Sequence, residues 1–184
     1  MTVPQNKRDA DGSCIAMSLS SSEAFEYLAT HRTGKEAGNI LTPANRNEDM
    51  NEHWDYRVVN YDIPFDMKVE LKAMKRMSRS GKVQDTWAWI ELHGVRENEK
   101  GWLINSKADY ICFEREDRFE FYPRLELLGR VLLLTDLTEW VDRATQAKYK
   151  LYSRRGRPDI LTMVEFDELK DILAFTWSKE LEDG

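Results

Sequence analysis

Between Trp54 and Lys72 the chain alternates apolar and charged residues on either side of a short break, Tyr-Asp-Ile-Pro-Phe. Successive side chains of a strand point to opposite faces. The pattern therefore predicts two half-buried strands, Trp54 to Asn60 and Asp66 to Ala73, joined as an antiparallel hairpin. With the turn centred on Asp62 and Ile63, Arg57 pairs with Lys68, Tyr56 with Val69 and Asp55 with Glu70. One face then carries Trp54, Tyr56, Val58, Met67, Val69 and Leu71. The other carries Asp55, Arg57, Asp66, Lys68, Glu70 and Lys72. A slip of one residue would scramble both faces, so the hydrophobic pattern fixes the register.

Two carboxylates directly opposite on one face repel each other. A divalent cation between them removes the repulsion, because Mg²⁺ is usually held by one or two carboxylates with water and phosphate oxygens completing its shell. Mn²⁺ is the natural substitute. Lys72, two residues beyond Glu70, points to the same side and can steady an attacking water or charge growing on a phosphate. Such a group suits phosphodiester hydrolysis. The bland alternative is a solvated charged face on which Lys72 alone neutralises the acids.

Basic residues follow the hairpin. Lys68, Lys75, Arg76, Arg79 and Lys82 form one set with Lys72, and Arg154, Arg155 and Arg157 form a second around Gly156. Both sets are expected to meet backbone phosphates, with a solvated loop as the equal alternative for the second. The net charge of −6 excludes a protein that coats nucleic acid by bulk attraction.

Residues 1–19 are polar and aperiodic and read as an N-terminal arm; residues 20–184 read as one domain. Ser20 to His31 is a predicted helix, with Ser20 and Glu23 as a capping box and Ala24, Phe25, Leu28 and Ala29 as its apolar stripe. Residues 33–52 read as loop. Strands are predicted over Thr86 to Leu92, Trp102 to Ile104, Ala108 to Glu114, Phe119 to Tyr122 and Ile160 to Val164. Helices are predicted over Leu125 to Leu134, over Leu137 to Lys148, and after Asp167 as far as Thr176. The expected class is α/β (α+β), one central mixed sheet covered by helices. No apolar run is long enough to span a bilayer and no secretory signal is seen, so a cytoplasmic protein is expected. Cys14 and Cys112 cannot by themselves make a zinc site, and Cys112 reads as a buried small hydrophobe.

Asp55, with Val-Glu-Leu-Lys from Val69 to Lys72, resembles the Asp…(Asp/Glu)-x-Lys signature of the PD-(D/E)XK nucleases, the restriction-endonuclease-like superfamily. The segments Trp87-Ala-Trp-Ile-Glu-Leu, Gly101-Trp-Leu and Lys107 to Glu114 also resemble uncharacterised phage-associated proteins of that type. The likeness covers roughly residues 20–125. It implies a core of one helix, a meander of strands, then a helix and a further strand. It implies Mg²⁺ (or Mn²⁺) on Asp55 and Glu70, Lys72 assisting the nucleophilic water, and DNA as substrate, with RNA second. The Pro of the family's name is absent, since His53 and Trp54 precede Asp55. In another register Asp62 or Asp66 would replace Asp55. The family's further helix Glu points to Glu26, with Glu52 as rival and an exposed helix residue as the plain alternative. A homodimer suits nucleases that cut both strands.

Glu91 shares its side of a predicted strand with Trp87 and Trp89 and is a candidate third carboxylate. Trp87, Trp89 and Trp102 read first as sheet core and second as platforms for bases. The three histidines, His31, His53 and His93, show no metal-ligand spacing. Phosphate-binding glycine loops, a nucleophile elbow and H-E-x-x-H are all missing. Two functions are therefore carried forward: a metal-dependent nuclease, and a non-catalytic nuclease-like binding or inhibitory protein, such as a viral accessory factor, whose acidic surface suits a protein partner.

Overall fold

The computed structural model of the chain describes residues 19–31, 40–60, 65–77, 81–95 and 100–179. Most of the predicted arm, the hairpin turn with Asp62, and Arg79 lie outside the described residues, as does Cys14. The class is the expected mixed α/β. Two sheets are present rather than one.

The larger sheet has six strands in the order β1-β2-β3-β5-β6-β10. These are β1 (Ile40–Pro43), β2 (Tyr56–Asn60), β3 (Phe65–Lys72), β5 (Tyr110–Glu114), β6 (Arg118–Pro123) and β10 (Phe175–Ser178). All neighbours are antiparallel except β3 and β5, which are parallel. The smaller sheet has the order β4-β9-β8-β7, from β4 (Trp87–His93), β9 (Ile160–Glu165), β8 (Lys150–Tyr152) and β7 (Asp136–Val141).

One face of the larger sheet is covered by α1 (Ser21–His31). Its predicted stripe, Ala24, Phe25, Leu28 and Ala29, is fully buried against Tyr56, Val58, Met67, Val69, Cys112, Phe119, Phe121 and Trp177. Ser20 and Glu23 form the predicted cap: Glu23 accepts the Ser20 N–H at 3.1 Å. The other face packs on the smaller sheet, α3 (Trp102–Asn105) and α4 (Arg124–Leu134). There Ile111, Phe113 and Tyr122 meet Ala88, Ile90, Leu127, Val131 and Val164. A buried polar tie joins the two sheets at one end. Arg115 binds Asp85 (2.5 Å) and Glu120 (2.6 Å), its guanidinium stacks 3.8 Å over Phe166, and Tyr122 donates to Glu120.

Several predicted elements differ. Residues 33–52, read as loop, contain β1 and the short helix α2 (Arg46–Glu52), capped by Asn45 and Glu48. Trp102–Asn105 is one helical turn rather than a strand. The predicted helix over 137–148 is β7 followed by a 3-10 turn, Ala144–Gln146. Asp136 accepts the Thr138 N–H and hydroxyl and the Glu139 N–H, which starts a turn, and the β-formers Thr138, Trp140 and Val141 follow. The last predicted helix is a 3-10 turn, Phe166–Ile172, and its end is β10, where Trp177 reaches the core by strand alternation. No helix among the described residues is long and apolar enough to cross a membrane.

Candidate active site

The predicted hairpin forms in the predicted register: Tyr56 pairs with Val69, Arg57 with Lys68 and Val58 with Met67. The ladder stops one pair short of Asp55 and Glu70. The Asp55 N–H donates instead to the Val69 carbonyl at 2.8 Å. This slip carries Trp54 across the sheet. It belongs to the core between the sheets, not to the α1 side where Tyr56 and Val58 lie.

Glu70 and Lys72 sit beside Ile111 and Phe113 in the parallel β3–β5 ladder. Paired residues share a face, so both charged side chains point toward the second sheet, not toward open solvent. The Glu70 carboxylate is buried and ion-paired with the Lys72 ammonium, which also lies 4.5 Å over the Trp102 ring. The Asp55 carboxylate accepts the Leu71 N–H at 2.6 Å. Burial, then the charge of Glu70, raises its pKa from 3.8 to about 6, against the Leu71 bond and Lys72, which favour the ionised form. Asp55, Glu70 and Lys72 are thus near enough for their charges to act on one another.

Asp55 and Glu70 each keep one oxygen that takes no hydrogen bond from a described residue. Carboxylate oxygens of this kind are the hard ligands that Mg²⁺ or Mn²⁺ takes beside water and phosphate. Among the described residues, no three His, Cys, Asp or Glu side chains gather as a ready-made metal cage. An ion here would depend on those outside ligands.

A cleft of about 900 Å³ opens beside this group, lined by Lys72, Lys75, Arg76, Trp87, Trp89, Glu91, Trp102, Tyr152, Arg154, Arg155 and Arg157. Glu91, the candidate third carboxylate, has its pKa raised by burial, while Lys72, Arg154 and the Trp102 N–H act the other way. Its approach to α3 requires a glycine: a Cβ on Gly101 would lie 2.1 Å from the Glu91 carbonyl oxygen. Arg154 stands 4.0 Å from Glu91 and is held by the fully buried Asp159, which pairs with its guanidinium and accepts its backbone N–H at 3.2 Å. Of the two basic sets, Lys72, Lys75, Arg76, Arg154, Arg155 and Arg157 therefore converge on one cleft.

Other predicted residues go elsewhere. Lys68 binds Glu52 at 3.2 Å and covers the Trp54 ring at 4.7 Å, away from the cleft lining. Lys82 is exposed and outside that lining. Glu26 accepts the Tyr56 hydroxyl at 2.9 Å on the α1 side, across the sheet from the face of Glu70. Glu52 is occupied by the Trp54 indole N–H and by Lys68 and Lys107, which hold its pKa down at about 2. Asp66 is exposed and paired with Arg57. His53 caps α2 with left-handed backbone, and the His93 ring contacts the Gly94 carbonyl. Cys112 is buried, as expected.

Sequence reasoning missed Tyr152 and Asp159. The only local signal for Asp159 was its place just after the Arg-Arg-Gly-Arg-Pro turn. Compared with protein-family models, curated proteins and solved structures, the chain finds no match.

Proposed function

We propose that the chain is a metal-dependent nuclease that hydrolyses phosphodiester bonds of DNA, with RNA as the second choice. The observation that carries this proposal is the gathering of Asp55, Glu70 and Lys72 beside a cationic cleft. Support also comes from the element order. The PD-(D/E)XK resemblance implies a helix, a strand meander, then a helix and a further strand. The chain runs α1, β1, the short α2, the β2-β3 hairpin, then β4, which departs to the second sheet, the single turn α3, and β5, which is laid parallel to β3.

Asp55 and Glu70 are the residues that would hold Mg²⁺ or Mn²⁺. Such an ion, when bound, supplies a Lewis acid for the phosphate and an acidified water. Lys72 is steadied from two sides, by Glu70 and by the Trp102 ring, and is oriented to hydrogen-bond the attacking water or a phosphate oxygen. Glu91 is the cleft carboxyl available to exchange a proton with the leaving oxygen, because Glu114, which also lines the cleft, is tied to Lys179 at 2.9 Å.

Cleavage of a fluorescent oligonucleotide in Mn²⁺ tests the proposal. Wild type should give products, and Lys72→Ala or Glu70→Gln should slow them roughly 100-fold, the usual loss when one group stabilising the transition state is removed. Undiminished cleavage by the double variant would overturn it.

One observation favours the second reading, a non-catalytic nuclease-like binding protein. The Glu70–Lys72 pair already balances charge without a metal. That reading requires no affinity for divalent ions.

A further inference from the structure

The cleft holds six cationic side chains against two carboxylates, Glu91 and Glu114. Two of the six are engaged inside the protein: Lys72 with Glu70, and Arg154 with Asp159. Lys75, Arg76, Arg155 and Arg157 make no ion pair with any described residue. They are exposed, and charge of this kind left unused on an acidic protein is available to a polyanion.

The same cleft is lined by six aromatic residues; Phe113 and Phe166 belong to the buried core, and the other four are not equivalent. Trp102 has the Lys72 ammonium over its ring. Trp87 has Lys148 at 4.4 Å over its ring and Tyr149 at its edge. Trp89 has no cation over it among the described residues. Its indole N–H donates to the Arg76 carbonyl at 3.1 Å, which fixes the ring beside the basic segment. Tyr152 stands 6.4 Å away, tilted by 52°, immediately before the arginine turn. Trp89 and Tyr152 are therefore half-buried rings, held in place and flanked by unspent cations on both chain segments.

Such rings serve a nucleic acid only if base faces are open to them. In a duplex those faces are hidden in the stack. In a strand without a partner they are available, and a cationic groove with aromatic platforms is the common means of binding it. We infer that the substrate class of this cleft is single-stranded polynucleotide, with Trp89 and Tyr152 stacking on unpaired bases and Lys75, Arg76, Arg155 and Arg157 holding the backbone phosphates. This deepens the nuclease proposal and rests on it for the chemistry, but the binding needs no metal.

Fluorescence anisotropy in EDTA, with full-length protein and a labelled 12-nucleotide probe, tests it. The probe is used as single-stranded DNA, as single-stranded RNA and annealed into duplex DNA. Tighter binding of either single strand than of the duplex, by about ten-fold or more, is expected, and the arms report which sugar is preferred. Trp89→Ala should weaken single-strand binding about ten-fold, in line with the loss of one stacked base. Its fold is checked by circular dichroism. Because Trp89 could matter for folding, Arg155→Glu/Arg157→Glu in the exposed turn gives an independent readout and should also weaken binding at least ten-fold. A duplex bound as tightly as the single strands overturns the inference. So does absence of binding, or insensitivity to both changes. Cleavage of the same probe by wild-type protein in Mn²⁺ is measured beside the binding. Failure of cleavage with preserved single-strand binding would thus remove the nuclease proposal alone, and cleavage without single-strand preference would remove this inference alone.

Discussion

At Asp55, stability and the proposed chemistry pull in opposite directions. Its carboxyl is buried beside Glu70, and its pKa rises from 3.8 to about 6. A folded-state pKa above the unfolded value means that the folded protein binds the proton more tightly. Between about pH 4 and 6 the folded state carries more protons, so stability falls as pH rises through that window. Asp55→Asn removes the charge and keeps an oxygen for the Leu71 N–H. Scanning calorimetry should show the variant more stable at pH 7 by about 1–3 kcal/mol, the order of a two-unit shift, with the gain vanishing near pH 4. A variant less stable at pH 7 would mean that Asp55 is a structural anchor and that its charge is not held at a cost.

At the scale of elements, the site depends on how closely α3 approaches β4. Gly101 begins that helix with no room for a side chain, so Gly101→Ala must push α3 from Glu91. Overpacking of this kind typically costs about 1–3 kcal/mol, and here a denaturant titration should show a loss in that range. Unchanged stability would show that the two elements can part freely. The hairpin and α1 were legible in the sequence because their apolar periods, two and 3.6, each serve one buried face. Trp54 was not, since the slip at Asp55 breaks the alternation by one residue. The second sheet was not either. Pairings such as Trp87 with Glu165 join distant segments, and no local pattern encodes them. For the same reason nothing local showed that a second layer covers the face of Glu70 and Lys72. The carboxylate pair and lysine were readable from spacing, as were both basic sets. Their convergence on one cleft required the fold.

Over the whole molecule, charge is segregated. The net charge is −6, yet the cleft holds an excess of cations. Nucleic acid should therefore be attracted at this cleft and repelled elsewhere. Counterion release gives a slope of log K against log salt of about −0.7 per phosphate contact for single strands, so four unspent cations predict a slope of about −3. Anisotropy titrations from low to high salt measure it directly. A slope near zero would remove the electrostatic part of the account.

Its centre is the sharing of one divalent ion by Asp55 and Glu70, and calorimetric titration of Mn²⁺ into the protein measures this most directly. Wild type should bind a single ion, and Asp55→Asn/Glu70→Gln should bind none at that site. Equal heats from the two proteins, or no binding by wild type with oligonucleotide present, would contradict the account and leave the non-catalytic reading in its place.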